Sequence, residues 1–327
     1  MIRAAMIAVV LAVVGLLPLT VSHFHAYQLS LVGVFFIAIV GLNVLTGYSG
    51  QISLGHGAFM CIGAYTTAIL NVNYGVSEYW TIPCAGIVAG VVGFLFGFPA
   101  LRLAGVYLAL ATFGLAVSVV QIAKRFDRFT GGTPGKILNQ PSSPVHGLSA
   151  NVWLYYLTWA IAIVLLVAAW LLVRGRTGLS LRALRDSPIA ATAFGISLAR
   201  YKTLAFALSA AYAGVGGALY AIAIAFVNPD TFPVTLSILL LTGAVLGGLG
   251  SLWGMVFGAF FIEFAPLYAA RVNESAPSVA YGVILLAVLF VLPEGAGGLV
   301  ERVVRRVSRD GVRRTRGRPS PSSSSSA

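Results

Sequence analysis

The sequence predicts an all-α protein that crosses a membrane many times, through about ten transmembrane helices. Only 9% of its 327 residues are charged and 58% are apolar, which gives a mean hydropathy of +0.92. A soluble domain carries about a quarter charged residues. The charges are also clustered, so that Asp, Glu, Lys and Arg are all absent from Ala4 to Ser77. Uninterrupted runs of that length are typical of helices that lie in lipid.

The runs without charge divide into ten candidate spans. The first covers residues 4–22, and we expect it to be retained because a run of 19 residues exceeds the short apolar core of a cleaved signal. The others are 29–46, 55–72, 81–101, 103–123, 152–173, 203–227, 234–249, 252–270 and 278–293. Glycine-rich interruptions lie within this series, so we expect some of the helices to be broken or re-entrant.

The distribution of Lys and Arg predicts the orientation, because cations are enriched in cytoplasmic loops. With the N-terminus in the cytoplasm, six spans bring the chain back inside at Arg174, where six cations lie between Arg174 and Lys202. Four more spans bring the C-terminus inside as well. One loop contradicts the rule: residues 124–151 fall outside on this count, although they contain Lys124, Arg125, Arg128 and Lys136.

We expect one transmembrane domain, residues 1–301, followed by a cytoplasmic tail, residues 302–327. The tail is basic and then rich in Ser and Pro, so it has little to bury and should be disordered. Two interpretations of its charge are open. It is a topology anchor, or it is attracted to anionic lipid headgroups.

Residues 41–59 form the first interruption. They contain five glycines and several hydrogen-bonding side chains, and the glycines are Gly41, Gly47, Gly50, Gly55 and Gly57. Backbone that leaves the helix at membrane depth must be enclosed in protein or line a wet cavity. Transporters build substrate sites from such broken helices. A tight turn between two spans explains the same pattern.

Residues 246–254 form a second glycine-rich interruption, which resembles the first only loosely and suggests an internal repeat. Close helix packing explains glycines of this kind too, and the small residues from Ala213 to Ala218 are typical of a packing face. Glu263 is a carboxylate between long apolar runs, and it is either functional or solvated near the end of a span.

Charge returns at residues 174–202 together with a helical period. Leu181, Leu184 and Ile189 can supply an apolar side. Ser180 is a candidate cap at the start of this segment and Gly195 a candidate stop, while Pro188 ends one helix or begins the next. The segment is a docking element for a cytoplasmic partner or an amphipathic helix on the membrane surface.

The sequence offers no constellation for catalysis, nucleotide binding or metal binding, and we expect the chain not to be an enzyme. Gly131 to Ile137 is the nearest approach to a phosphate loop, but it has three residues rather than four between its glycines and lacks a Ser or Thr after Lys136. If transport is driven by ATP, the ATPase must be another polypeptide. Cys61 and Cys84 both lie in apolar runs, and we expect no disulfide between them.

Five stretches resemble the permeases of branched-chain amino acid ABC importers of the LivM type. They are GLNVLTGYSGQISLGHGAFMCIGAYTTAIL at 41–70, FPALRLAGVYLALATF at 98–113 with the Thr130 to Gly132 triplet, the segment 178–221, VLGGLGSLWGMVFGAF at 245–260 and the final span with its Pro293-Glu294-Gly295 ending. The resemblance covers roughly residues 29–300 in the expected order. Ser187-Pro188 and Gly105-Val106 depart from the usual pattern of the family.

The resemblance implies a permease subunit in a prokaryotic plasma (inner) membrane. Its implied partners are a second permease subunit, two cytoplasmic ATP-binding subunits and an extracytoplasmic solute-binding protein, with membrane lipid around the chain and no nucleic acid. No cofactor is implied for this chain, since the partner subunits use the ATP. The residues expected along the substrate pathway are Asn43, Gly47, Gly50, Gln51, Ser53, Gly55 and His56. Those expected in the ATPase-coupling loop are Arg182, Arg185, Asp186, Ala190, Ala191 and Gly195.

The expected cargo is leucine, isoleucine and valine, carried by alternating access that the ATPase subunits drive. Urea, amides or another amino acid are the alternatives within the same kind of machine. An autonomous channel or secondary carrier is the alternative of a different class, and it predicts transport by this chain alone. The lack of buried carboxylates in the sequence argues against proton or sodium coupling, while sodium held by backbone groups stays open.

Overall fold

A computed structural model describes residues 22–103, 105–138 and 149–272 and a few single positions outside these ranges. The helices in these ranges are α1 (His23–Asn43), α2 (His56–Tyr74), α3 (Glu78–Ala100), α4 (Val106–Arg125), α5 (Asp127–Thr130), α6 (Ala150–Arg174), α7 (Arg176–Asp186), α8 (Pro188–Ala193), α9 (Leu198–Ile224), α10 (Val234–Gly247) and α11 (Met255–Val272). A π-helical turn, Val44–Tyr48, continues α1, and a 3-10 turn, Pro229–Thr231, precedes α10. Two short strands, β1 (Lys136–Ile137) and β2 (Phe226–Val227), pair antiparallel.

The all-α class is confirmed, apart from this strand pair of two residues on each side. Eight of the ten expected spans coincide with a helix, namely α1 to α4, α6 and α9 to α11. Six helical segments in the described ranges are long and apolar enough to cross a membrane. α2 is not among them, and it carries polar residues along its length; α11 contributes a shorter apolar stretch, Met255–Ala270. The count of ten therefore stays a prediction.

Three predictions lie outside the described residues. They are the first span at 4–22, nearly all of the last span at 278–293, and the tail at 302–327.

α9 forms the centre of the bundle and packs against α1, α2 and α3. The predicted packing face from Ala213 to Ala218 is confirmed, because Gly214 and Gly217 let neighbouring helices approach within contact of the backbone. A Cβ atom at Gly217 would overlap the carbonyl oxygen of Met60 in α2, and one at Gly214 would lie 2.7 Å from the carbonyl oxygen of Ala85 in α3. Small residues are used in this way where lipid supplies no hydrophobic driving force between helices.

α1 is enclosed by other helices along nearly its whole length. It packs against α6, α9, α10 and α11, and its residues from Ser30 to Asn43 are all buried. Trp159 in α6 donates a hydrogen bond to the carbonyl oxygen of Leu29 at 3.1 Å, and Gly33 accommodates the Thr158 side chain. α1 is therefore a core helix rather than one that faces lipid.

The loop with the unexpected cations and the segment 174–202 lie at opposite ends of the bundle. At the first end, β1 pairs with β2, Lys124 forms an ion pair with Asp230 at 2.6 Å, and Lys136 donates a hydrogen bond to Asn73. The start of α1 lies at this end too. α6 and α9, of 25 and 27 residues, then lead to and from the segment 174–202 at the other end. One expected span, residues 152–173, lies between the two segments, and α6 occupies it. A single crossing puts the two segments on opposite sides of the membrane, which agrees with this arrangement.

Candidate functional site

α1 does not end at a simple turn, because its last residues are followed by a wider, π-helical turn before the backbone becomes irregular. The π-helical turn Val44–Tyr48 is followed by irregular backbone as far as Gly55. This backbone satisfies part of its own hydrogen bonding: the Gln51 amide donates to the Leu45 carbonyl at 3.1 Å, and the Thr46 hydroxyl donates to the Gln51 carbonyl at 3.1 Å. We call residues 44–55 the first break. It is buried except at Gly50, Ile52 and Leu54.

Asn43 connects the first break to residues 248–254, which we call the second break. These are the non-helical part of the second glycine-rich interruption at 246–254. The Asn43 side-chain amide nitrogen donates to the Ser251 carbonyl at 3.1 Å, and its oxygen accepts from the Gly250 amide at 2.8 Å. Asn43 is fully buried. Gly47 lies against the same group, and a Cβ atom there would overlap the Asn43 oxygen. The two interruptions noted in the sequence are therefore adjacent in space.

The rest of the first break contacts two other helices, α9 and α4. Gln51 donates to the Ser49 hydroxyl and to the Lys202 carbonyl in α9, at 3.4 Å in the second case. Ser53 is fully buried and accepts from the Gly55 amide at 3.3 Å. A Cβ atom at Gly55 would lie 2.8 Å from the Thr112 carbonyl oxygen in α4, so only glycine allows this approach.

His56 begins α2 and is completely buried. Its Nε2 donates to the Ala38 carbonyl of α1 at 2.8 Å, which assigns the proton to Nε2. Nδ1 has no hydrogen-bond partner among the residues that the structure describes. Those residues also contain no group of three or more His, Cys, Asp or Glu side chains able to hold a metal ion. The hydrogen bond of His56 to Ala38 is thus structural, since it connects α2 to α1.

The segment 174–202 folds into two helices, α7 and α8, with regular caps. The Ser187 hydroxyl accepts from the Ala190 amide at 3.3 Å, and Pro188 occupies the first position of α8, where proline is well tolerated. Gly195 has φ of +82° and follows the end of α8, while the Ile196 amide donates to the Ala191 carbonyl, as in a Schellman ending. Gly195 as a stop is confirmed. Ser180 as the starting cap is wrong, because α7 begins four residues earlier at Arg176 and Ser180 lies inside it.

Arg182 and Arg185 lie on the same helix, but they face different partners. Arg182 donates to the Val173 carbonyl at 3.1 Å and to the Gly178 carbonyl at 3.3 Å, so it joins α7 to the end of α6. Arg185 donates from Nη1 to the Gly47 carbonyl at 2.7 Å and forms an ion pair with Asp186 at 3.2 Å. The residues predicted for the pathway and those predicted for the coupling loop therefore meet at Arg185 and Gly47.

The rest of the coupling segment is open to its surroundings. Ala191 is buried, but Ala190 and Gly195 are exposed. Two large apolar side chains are almost entirely uncovered, Ile189 at 84% and Phe194 at 88% exposure. A surface of this kind is typical of a site that meets another protein or the membrane surface, the two interpretations that the sequence left open.

Several partners of the first break were not singled out from the sequence. Thr112 in α4 accepts from the Leu54 amide at 2.9 Å, Ser237 in α10 accepts from the Gly57 amide at 2.9 Å, and Ser251 receives Asn43. Thr112 and Ser237 are completely buried in apolar helices. Thr112 and Ser237 are isolated hydroxyl residues within apolar runs, and this pattern could have drawn attention to them. The sequence does not identify which backbone group each hydroxyl binds.

Known proteins match the chain along most of its length. Residues 25–292 match the family described as "Branched-chain amino acid transport system / permease component". The chain is 33% identical over 300 residues to the high-affinity branched-chain amino acid transport system permease protein LivM of Escherichia coli (strain K12), covering 84% of this chain and 69% of that protein. It is 24% identical over 279 residues to LivH of the same strain, covering 80% and 90%. It is also 29% identical over 225 residues to the autoinducer 2 import system permease protein LsrC of Enterobacter sp. (strain 638), covering 62% and 65%.

Proposed function

The chain belongs to the family of branched-chain amino acid transport permease components, and from this membership we propose that it is the transmembrane permease subunit of an ATP-driven, binding-protein-dependent importer. The proposed cargo is leucine, isoleucine and valine. The observation that carries the proposal is the similarity to LivM over 84% of the chain. The contact between α7 and the first break supports it, because a subunit driven from outside needs a connection between its docking surface and its pathway.

The ATP-binding subunits are proposed to dock on residues 180–196, which comprise the second half of α7, α8 and the turn after α8. Ile189 and Phe194 supply exposed apolar anchors there, and the cations between Arg174 and Lys202 support a cytoplasmic position for this end. In this proposal the partner subunits bind and hydrolyse ATP. The chain itself is then a transport subunit without enzymatic activity or a cofactor of its own. The proposed membrane is the prokaryotic plasma membrane, with both termini in the cytoplasm.

The solute-binding protein is proposed to meet the opposite end. Lys124 is paired with Asp230 and Lys136 with Asn73, but Arg125 and Arg128 are exposed next to the exposed rings of Phe126 and Phe129. Exposed arginines and aromatics are the residue types enriched at protein interfaces. This surface gives a function to the cations that contradict the positive-inside rule.

The solute is proposed to pass along the first break, beside the junction that Asn43 makes with the second break. Asn43, Gln51, Ser53 and His56 supply dipoles, while Gly47, Gly50 and Gly55 allow close approach of the backbone. A zwitterion with an apolar side chain is passed on by a few dipoles in an apolar wall, whereas a fixed ion pair would hold it. A second permease subunit of the same family completes the pathway.

The proposal is tested by reconstitution into liposomes with candidate permease, ATP-binding and solute-binding partners. Uptake of labelled leucine, isoleucine, valine and urea is measured with and without ATP inside the liposomes. We expect uptake of the three branched-chain amino acids only with ATP and the complete set of subunits. Uptake by this chain alone at the same rate with or without ATP would contradict an importer subunit and favour a channel or carrier.

The cargo is the part of the proposal with a specific alternative. LsrC carries the name of an import system for a signalling molecule that is not an amino acid. The same kind of permease therefore serves different solutes, and we assign the choice of cargo to the solute-binding protein. ATP-dependent uptake of urea without uptake of leucine would retain the importer and replace its cargo.

A further inference from the structure

The carbonyl group of Gly47 is left without its helical partner by the first break. In a continuous α-helix the amide of Gln51 would donate to it. In this chain the Gln51 amide donates to the Leu45 carbonyl instead. A buried carbonyl without a donor is costly, and the guanidinium of Arg185 supplies the donor at 2.7 Å.

Arg185 also supplies the positive charge that the end of α1 lacks. Neither α1 nor the π-helical turn after it has a basic residue in its last turn. The C-terminal end of a helix carries a partial negative charge, so a cation placed there is stabilised. The hydrogen bond to the Gly47 carbonyl is therefore both charge-assisted and favourably oriented.

Glycines of both breaks lie beside the Arg185 side chain, and Gly50 makes room for it. Gly50 has φ of +71°, and a Cβ atom at that position would lie 2.7 Å from Cγ and 3.4 Å from Cβ of Arg185. Gly250 of the second break has φ of +87°, and a Cβ atom there would lie 3.9 Å from Arg185 Nη1. Arg185 thus lies between the two breaks, which Asn43 already joins.

We propose that Arg185 is a positioning residue that fixes α7 to the first break, so that the coupling loop and the two breaks move as one body. This inference rests on the proposed function, and it gives Arg185 a role inside the chain in place of a contact with the ATP-binding subunit. Movement imposed on α8 by a partner then reaches the breaks through α7, Arg185 and Gly47. Arg182 holds the other side of α7 to α6 and takes no part in the contact with the breaks.

The test compares Arg185→Gln with Arg176→Gln, which removes the same charge from an exposed position on the same helix. In proteoliposomes with the ATP-binding and solute-binding partners, labelled leucine uptake and ATP hydrolysis are measured together. We expect Arg185→Gln to retain the ATP-binding subunits and to hydrolyse ATP within about twofold of the parent. We expect the leucine moved per ATP to fall on the order of tenfold, and Arg176→Gln to change neither value.

A pair of cysteines can replace the lost contact. The distance of 3.4 Å from a Cβ atom at Gly50 to Cβ of Arg185 is close to the 3.5–4.5 Å of a disulfide. In a background with Cys61 and Cys84 replaced by Ala, we expect Gly50→Cys with Arg185→Cys to be uncoupled when reduced and to recover leucine uptake per ATP when oxidised. Oxidation that stops uptake would show that the loop and the break separate during transport, which overturns the inference.

Two further outcomes would also overturn it. An Arg185→Gln variant with unchanged leucine uptake per ATP has no positioning role. A variant that loses the ATP-binding subunits, and that the oxidised cysteine pair does not restore, identifies Arg185 as a direct contact with the partner.

Hydrogen exchange on the purified permease alone separates this inference from the proposed function. We expect amide exchange in α7 to rise about tenfold in Arg185→Gln and to stay unchanged in Arg176→Gln, whatever solute the protein carries. If the parent protein shows no ATP-dependent uptake but exchange rises in this way, the proposed function fails and the positioning role of Arg185 stands. Unchanged exchange in Arg185→Gln would overturn the positioning role.

Discussion

At the scale of single residues, Asn43 shows how a polar side chain serves a membrane bundle. An asparagine amide has a donor and an acceptor, and Asn43 uses one of each on the second break, to Ser251 and from Gly250. Both backbone groups lie where lipid cannot replace the lost partner. The sequence predicted a pathway role for Asn43, and its contacts give it a structural task in addition.

We expect Asn43→Ala to destabilise the protein by about 2 kcal/mol, because it leaves the Gly250 amide and the Ser251 carbonyl without these partners. The thermal midpoint of the detergent-solubilised protein, followed by fluorescence-detected size exclusion, measures this change. Asn73→Ala is the matched control, since Asn73 is exposed and its contact with Lys136 lies on the surface. Equal midpoints for the two variants would show that Asn43 does not hold the breaks together.

At the scale of elements, close contacts decide which helices meet. α9 presents Gly214 and Gly217 to α3 and α2, and α3 presents Gly86, Gly90, Gly93 and Gly97 in return to α9. The sequence predicted a packing face on α9 from its small residues. It did not identify the partners, because the glycines of α3 and those of α2 are equally compatible with such a face.

We expect Gly217→Ala to destabilise the bundle by about 1–3 kcal/mol, since the added methyl group would overlap the Met60 carbonyl and force α2 away from α9. Gly114→Ala is the control, because a Cβ atom at that helical position meets nothing within 4 Å. There we expect a gain of about 0.5–1 kcal/mol from the better helix propensity of alanine. Thermal midpoints of both variants in the same detergent test the opposite signs.

A second prediction at this scale concerns α8 and the residue that follows it. Phe194 is exposed directly after α8, so Phe194→Asp should leave the fold intact but weaken co-purification of the ATP-binding subunits by about tenfold or more, as expected for an interface anchor. Ile137→Asp introduces the same charge at an exposed apolar position at the other end of the bundle and should leave co-purification unchanged. If both variants retain the ATP-binding subunits fully, the docking surface lies elsewhere.

At the scale of the whole molecule, the structure separates two ends of the bundle that expose different residues. The strand pair, the ion pair of Lys124 with Asp230, and the exposed Arg125 and Arg128 lie at one end. The coupling segment 174–202 and the first break lie at the other. The loop that contradicted the positive-inside rule is therefore separated from the six cations of residues 174–202 by the length of the bundle.

Labelling with a membrane-impermeant maleimide tests the orientation of these ends. In a background with Cys61 and Cys84 replaced by Ala, we expect Ile137→Cys to react in intact cells and Ile189→Cys to react only after the membrane is opened. Both positions are largely exposed, at 77% and 84%. Reaction of both in intact cells, or of Ile189→Cys alone, would contradict the predicted orientation.

The sequence alone determined the all-α membrane class, the positions of eight helices, the Gly195 stop and the family, because each depends on composition, local pattern or long matching stretches. The tertiary structure decided which apolar helices face each other. The 18-residue apolar stretches in α1 with its π-helical turn and in α6 have equal mean hydropathy, yet 94% of the residues in the first stretch and 22% of those in the second are buried. It also decided that Arg185 reaches Gly47, 138 residues away. Hydrophobicity is a property of each residue, whereas burial and a hydrogen-bond partner are properties of pairs that only the folded chain brings together.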